Sequence, residues 1–485
     1  MKKLIYLIGI VFIFTSCEDT FLDTTPNDAL SPSTFWNTQK DLDLALTGCY
    51  SGFESGNSIL YRDAGSDNAF NNFPWEGWTN IGNGKLSPAD PGASYYDFST
   101  INRCNEFLKN ADNAVEVPEE NRIIYKAQAR FIRAYEYYVL TTNYGDVPLI
   151  TENFATPEEA KVPRNPQAEI RTFIENELTA VIDILPESYS GSEFGKATKG
   201  AAQALLMRYY LYFKDYEQAL TTAKSITGYS LHPSFKGLFD PANEQNNEII
   251  LSVQHTPDIY AMSFTPFLPN SIGGWSSVVP TQSLVDAFEM ADGRTIQEAQ
   301  SQGDYDPENP FINRDPRLRA TVVYPGQVFA GRVYRSIEED DPDYYNTADN
   351  ASKTGYNFKK YTTFIDIDPS APFWNMGNDI FLFRFAEVLL TIAEAKIELG
   401  QIDSELYEAI DAVRLRAGMP AVDKQKYADQ ESLRKLIRNE RRVEFAMEGL
   451  RRDDIIRWDI ASMVMNGELL GAKRGSVLET TQPNG

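Results

Sequence analysis

The sequence predicts a mainly α protein, in which helix pairs of tetratricopeptide type support an irregular, loop-rich part with short β-strands. Three observations predict it. Apolar residues recur at helical spacing over long stretches, as at Ile124, Ala127, Phe131, Ala134 and Tyr138. Two stretches read as helix, short turn, helix with small residues at the crossing. Between them lie segments rich in Gly, Pro, Asn and Trp that keep no period.

The chain opens with Lys2 and Lys3, followed by an apolar run from Leu4 to Phe14. That run is too short to span a bilayer, which takes about 20 residues. It has the length and flanks of a secretory signal. It stops at Thr15-Ser16-Cys17. Residues 1–16 are therefore expected to be a signal peptide, with Cys17 as the lipid anchor. The thiol can take a diacylglycerol by thioether, and the amine freed by cleavage can take a further acyl chain. Each buried CH₂ contributes about 0.8 kcal/mol, so two or three chains hold firmly. The alternative is an ordinary signal peptide with an incidental cysteine. Glu18 and Asp19 follow; in some bacteria acids here favour export to the outside of the outer membrane.

After a linker through Pro26, Ser33 or Thr34 could cap a helix carrying Leu42, Leu44, Ala45 and Cys49. From Ser51 to Asp97 no helical or strand period survives. A loop of that length is uncommon unless it is functional or disordered, and its tryptophans argue against disorder. Helical spacing returns from Tyr96 to Asn110 and, more strongly, from Arg122 to Leu140. Asn165-Pro166 reads as N-cap and first-turn proline of a helix carrying Ile170, Ile174, Leu178 and Val181. The first helix pair spans Thr198 to Phe213 and Tyr216 to Ile226; the second spans Arg384 to Leu399 and Ser404 to Ala417. From Tyr229 to Trp374 the chain is irregular, with strand-like pieces such as Glu248 to Val253.

Composition removes several functions. The formal charge is −24, and loss of Lys2 and Lys3 with the signal peptide would make it more negative still. Such a chain suits neither nucleic acid nor, without its anchor, anionic lipid, because phosphate neutralisation needs clustered Lys and Arg. His232 and His255 are the only histidines. That scarcity removes most metal sites, Ser-His-Asp machinery and Cys-His pairs. No phosphate loop, HExxH or nucleophile elbow occurs, so no catalytic residue, metal or cofactor is expected. Besides Cys17 there are Cys49 and Cys104; an envelope disulfide and two buried free thiols are both open.

The candidate binding residues lie in the Trp- and Asn-rich loop: Asp67, Asn72, Trp75, Trp78 and Asn80, joined by Trp275 in Ser271-Ile272-Gly273-Gly274-Trp275. Indole faces pack on the C–H face of a sugar ring, and Asn side chains both donate to and accept from hydroxyls. The alternative role for Trp75 and Trp78 is to pin the loop, and both hold if one ring points each way. Trp374 is read as core. Glu440, Glu444 and Glu448 stand at i, i+4, i+8, where like charges repel unless partnered. Arg441, Arg442, Arg451 and Arg452 are the expected partners in a buried network tying the terminal helices to the body. Asp315-Pro316-Arg317 is read as a turn fixed by a salt bridge.

Taken in order, a series of segments resembles the SusD/RagB family, the nutrient-binding lipoproteins of Bacteroidetes outer membranes. It runs from Phe21-Leu22-Asp23 and Phe35-Trp36 through Ala129 to Ala134, Tyr144-Gly145-Asp146-Val147-Pro148 and Gly195 to Ala202. It continues with Asp292-Gly293-Arg294, Arg314 to Leu318, Arg384 to Leu390, Arg414 to Gly418 and Glu440-Arg441-Arg442 through Arg457-Trp458. The resemblance implies a SusD-like fold, with an N-terminal part over 17–228 and a C-terminal RagB/SusD part over 229–485 packed as one unit. It implies a surface-exposed, lipid-anchored outer-membrane protein that binds an oligosaccharide and delivers it to a SusC-like TonB-dependent transporter. A peptide-binding RagB-like uptake protein is the alternative, and an envelope glycoside hydrolase the rival from another class.

Overall fold

The computed structural model describes residues 35–473. Residues 1–16, expected to be a signal peptide, Cys17, Phe21-Leu22-Asp23 and the proposed caps Ser33 and Thr34 lie outside the described residues. The first described helix, α1 (Gln39–Tyr50), takes its N-cap from Thr38, whose hydroxyl accepts from the Asp41 amide while Asp41 accepts in return. It buries Leu42, Leu46 and Cys49, whereas Leu44, assigned to the same stripe, faces solvent.

Nine further helices form the frame: α2 (Ser99–Asn110), α3 (Glu119–Tyr144), α4 (Gln167–Ile182), α5 (Lys199–Tyr212), α6 (Tyr216–Ser225), α7 (Phe385–Glu398), α8 (Ser404–Arg416), α9 (Gln430–Glu444) and α10 (Arg451–Arg457). The period locates their cores, and local chemistry sets their ends. Thr198 and Asp403 cap α5 and α8 by accepting from the Ala201 and Leu406 amides. Pro166, not Asn165, is the N-cap of α4; the Asn165 side-chain oxygen accepts instead from the Leu149 amide at 3.0 Å.

Each helix from α1 to α8 packs on the next, including α6 on α7, although residues 226–384 separate those two in sequence. The helical stack is therefore interrupted in sequence but continuous in space. Helix α9 closes it by packing on α7. Where the 226–384 excursion leaves and rejoins the stack, β2 (Ile249–Val253) pairs antiparallel with β4 (Ile380–Arg384), and both strands are buried on both faces.

Segment 51–97 is less irregular than its composition suggests. It holds a short helix Gly56–Tyr61, a strand β1 (Ala69–Asn71), a 3₁₀ turn Pro74–Glu76 and a helical turn Trp78–Gly82. These pieces are three to six residues long, far shorter than the stretch of about 11–18 residues over which a helical period shows, so sequence periodicity does not register them. Strand β1 pairs antiparallel with β3 (Val278–Pro280), with Ala69 opposite Pro280 and Asn71 opposite Val278. This ladder joins the N-terminal loop to the excursion. The larger hydrophobic core likewise runs through both, from Leu42 to Phe381.

The charged C-terminal stretch is a buried network, but its partners differ from those expected. Glu440 meets Arg317 and Arg414; Glu444 meets Arg317, Arg384 and Arg416; Glu448 meets Arg384 and Lys360. Arg441 instead binds Asp454 at 3.0 Å, Arg442 and Arg451 bind Asp67, and Arg452 donates to Asn143. The reason is directional. Side chains four apart on α9 share one face, and that face looks at Arg317, Arg384 and Arg416, brought from other elements. The turn at Asp315-Pro316-Arg317 is fixed by an ion pair of 2.8 Å and leads into this network.

Candidate functional site

Trp75 and Trp78 point in opposite senses because of the glycine between them. The 3₁₀ turn Pro74–Glu76 ends at Gly77, whose φ of +84° reverses the chain before Trp78 starts the next helical turn. A side chain at Gly77 would also meet the Ala93 amide nitrogen at 2.6 Å. Trp75 is consequently 79 % exposed, its ring stacked on Phe73 at 4.8 Å between centroids and 25° between planes. Trp78 is only 6 % exposed and packs against Tyr61 and Tyr95. Trp78 is thus the pin of the loop, which corrects its assignment as a contact residue.

Asp67 is also corrected. Its carboxylate is buried and held by Arg451 at 2.7 Å and Arg442 at 3.0 Å. Burial would raise its pKa, but the two guanidiniums outweigh burial and hold it below the usual range. Asn80 donates to Asp90 Oδ2 at 2.6 Å and ties the loop to itself. Asn72 donates its amide to Ser277 O at 2.8 Å and its side-chain Nδ2 to Ala351 O at 3.4 Å. The Asn72 Oδ1 has no hydrogen-bond partner among the described residues.

Trp275 is 48 % exposed. Its position is dictated by Gly274, where a Cβ would lie 2.1 Å from the Leu268 carbonyl oxygen, and by its own amide, which donates to Thr265 O at 2.8 Å. Trp275 stands two residues before Ser277, the backbone partner of Asn72. Asn270 Nδ2 donates to Pro342 O, and the Ser271 amide donates to Asp343 Oδ1, each at 2.8 Å. The segment from Asp341 to Ala351, with half-buried Tyr344 and Tyr345 in edge contact at 4.8 Å, is therefore seated between Ser271 and Asn72. Sequence reasoning passed over that segment.

Trp374, read as core, is 60 % exposed. It follows Phe373, against which its ring packs edge-on at 5.3 Å. The Phe373 carbonyl accepts from the Phe264 amide at 2.8 Å, and its ring lies 3.5 Å from where a Cβ on Gly273 would stand. The flanking Pro372 and the Gly377 three residues on are the signal that marks this tryptophan as a loop residue. Three exposed indoles, on Trp75, Trp275 and Trp374, are thus carried by loops that bond directly or through a shared neighbour.

This arrangement can stack planar or ring-shaped ligands and donate or accept hydrogen bonds at its edge. Among the described residues no group of three His, Cys, Asp or Glu side chains is placed to hold a metal ion. The carboxylates of the C-terminal network have guanidinium or ammonium partners, and this keeps Glu444 far below its ordinary pKa despite burial.

The fold and sequence both have counterparts. Residues 239–478 match the SusD family, and residues 20–211 match a family described as starch-binding, associating with the outer membrane. A SusD-like protein, P25, of Formosa agariphila is 26 % identical over 95 % of this chain and 90 % of its own length. A crystal structure of a SusD-like carbohydrate binding protein from Bacteroides fragilis superposes with a TM-score of 0.85, at 30 % identity over 93 % of both chains. A second SusD-like protein of Bacteroides fragilis gives 0.78, at 29 % identity over 90 % of this chain and 89 % of its own. Sequence and fold thus agree over nearly the whole length, and the chain belongs to the SusD family.

Proposed function

We propose that this protein is a cell-surface glycan-binding lipoprotein that captures an oligosaccharide and passes it to a SusC-like TonB-dependent transporter. The observation that supports it most is the set of exposed indoles, Trp75, Trp275 and Trp374, on interlinked loops beside Asn72 and Asn270. Leaving three large aromatic faces in water gains nothing for folding. Such faces match the apolar C–H side of a pyranose, and the neighbouring amides match its hydroxyls. Carbohydrate binding is named for the Bacteroides fragilis relative, and outer-membrane association for the family matching residues 20–211. SusD family binding proteins are non-catalytic, so capture, not cleavage, is the activity. The acidic charge of the chain disfavours strongly anionic glycans. A lipid on Cys17 would keep the binder beside its transporter, so that capture and uptake share one membrane face.

The test is a calorimetric screen of the mature protein against neutral oligosaccharides and against peptides, repeated with Trp75→Ala and Trp275→Ala. Glycan binding lost in both variants, with folding intact, supports the reading. Binding of peptides alone, or release of new reducing ends from a glycan, overturns it. For the anchor, Cys17→Ala should move the protein from the membrane to the soluble fraction.

A further inference from the structure

Strands β2 and β4 end side by side, with Val253 opposite Ile380. Beyond that end the two segments form one loop pair, 254–261 and 374–379. The Asp258 amide donates to Asn375 Oδ1 at 2.8 Å, and Asn375 Nδ2 donates to Asp258 Oδ1 at 2.6 Å. Met262 and Met376 exchange two backbone bonds, of 2.8 and 2.9 Å. The segments are thus tied to each other as one piece. That piece exposes Ile259, Tyr260 and Trp374, and a segment so exposed opens at a lower free energy than the core.

Two carboxyls sit where the loop pair meets the strands. Asp379, 5 % exposed, accepts from the His255 amide at 3.1 Å, from Ser252 Oγ at 3.2 Å and from Gln254 Nε2 at 3.3 Å. Its own amide donates to Glu244 Oε1 at 2.8 Å. Glu244 and Asp240 flank the 3₁₀ turn Pro241–Asn243. Among the described residues no cation acts on either carboxyl; the charges that act on Glu244 are those of Asp379 and Asp240. The other elements packed on the loop pair bring no free cation. Gly195 lies against Gln254, and the neighbouring Lys196 is held by Glu193 at 2.8 Å. Gly56 lies against His255, and Glu54 nearby is held by Arg62 and by the Tyr135 hydroxyl. The His255 ring stacks on Tyr260 at 5.2 Å, and burial lowers it to about 4, so it stays neutral near pH 7.

Like charges in one half-buried site raise the cost of ionising both. We propose that Glu244 and Asp379 form a pH-operated catch on the loop pair that carries Trp374. While Glu244 keeps its proton, Asp379 holds its three donors and the loop pair stays closed. When Glu244 loses that proton, two carboxylates face each other with Asp240 beside them and no cation, and opening to water relieves them. Burial and the charge of Asp379 push Glu244 up to about 7, which sets the change near neutral pH. A carboxyl raised in the closed state makes that state bind more protons than the open one. Closure is therefore favoured in acid and lost as pH rises through 7. Trp374 moves with the pair, so capture is favoured below neutral pH and release above it; this consequence rests on Trp374 being a glycan contact.

Amide hydrogen exchange on the Cys17→Ala protein reads the catch, expressed as protection factors so that the intrinsic pH dependence of exchange cancels. Protection over 254–261 and 374–379 should fall about tenfold between pH 6 and pH 8, the effect of one carboxyl raised to about 7. The surface hairpin 328–333, whose Ala330 amide donates to an Asp366 already paired with Lys359, should keep its protection. Glu244→Gln cannot ionise and should retain the pH 6 protection at pH 8. Its thermal midpoint at pH 6 should match that of the parent protein and reports folding. Protection of the loop pair that is equal at the two pH values in the parent protein overturns the catch, and that measurement needs no variant. A fall of the same size in Glu244→Gln, or an equal fall in the hairpin, overturns it too. No ligand is added, so failure of the catch and failure of the proposed glycan binding are read separately.

Discussion

Arg384, at the end of β4, and Glu444, in the last turn of α9, form an ion pair of 2.8 Å with side chains 2 % and 0 % exposed. Glu444 also faces Arg317 and Arg416, so one carboxylate is shared by three guanidiniums. Replacing it by an isosteric amide removes one counter-charge from a buried network in which Asp315, Glu440, Glu248 and Glu448 hold the same arginines. Glu444→Gln should lower the unfolding free energy in urea by about 3–5 kcal/mol, the cost of removing one partner from a buried pair. A loss below about 1 kcal/mol would show that water reaches the network.

Trp75 and Trp78 should separate function from stability. Truncating the buried Trp78 removes a packed indole, so Trp78→Ala should destabilise by about 3–5 kcal/mol. Trp75→Ala removes a ring already in water and should change stability by less than about 0.5 kcal/mol, while weakening glycan binding about tenfold. Parallel urea melts and calorimetry read both numbers. If Trp75→Ala melts like Trp78→Ala, the exposed ring is structural and the binding surface lies elsewhere.

The same pair shows what sequence can convey. The frame was legible because α3, α4, α5 and α7 are long enough to show their apolar stripe. The network of Glu440, Glu444 and Glu448 was legible as buried, since three carboxylates at helical spacing demand partners. Its partners were not legible: Arg317 and Arg384 arrive from distant segments, and only tertiary structure brings them there. In the loop, sequence located the two tryptophans but not their directions, which hinge on the left-handed Gly77. Trp374 was misassigned because an indole in an aromatic-rich chain looks like core until its loop is placed. Asp67 was misassigned for the opposite reason: a carboxylate in a polar loop looks exposed until Arg442 and Arg451 close over it.

Stability should fall on both sides of mildly acidic pH, for opposite reasons. Burial pushes Glu244 up to about 7, helped by the adjacent Asp379, and burial pushes Asp379 and Asp63 up to about 6. For a carboxyl raised in the folded state, the native protein binds more protons than the unfolded chain. That contribution is complete below the unfolded pKa and is lost as pH rises through 6 to 7. Glu448 and Asp454 are shifted the other way, since their arginine and lysine neighbours outweigh burial. Their contribution is present above the unfolded pKa and is lost as pH falls into the acid range. The thermal midpoint should therefore drop between about pH 5 and pH 8, and Glu244→Gln should flatten that slope. An unchanged slope in Glu244→Gln would mean that the Glu244 carboxylate is solvated in the folded protein.

Cys49 on α1 and Cys104 on α2 are both fully buried and both free. The Cys49 sulfur beside it, together with burial, holds the Cys104 thiol well above its usual range. Thiolate is the reactive form and both sulfurs are buried away from reagent, so neither should react while the protein is folded. A thiol reagent added to the Cys17→Ala protein should find no reactive thiol in native buffer. It should find both after denaturation, with the reaction following global unfolding because α1 and α2 lie within the main core. If denaturation without reductant releases no thiol, the two sulfurs are joined in the protein as isolated. Adding reductant to the native state should then lower the thermal midpoint, because a crosslink stabilises mainly by restricting the unfolded chain.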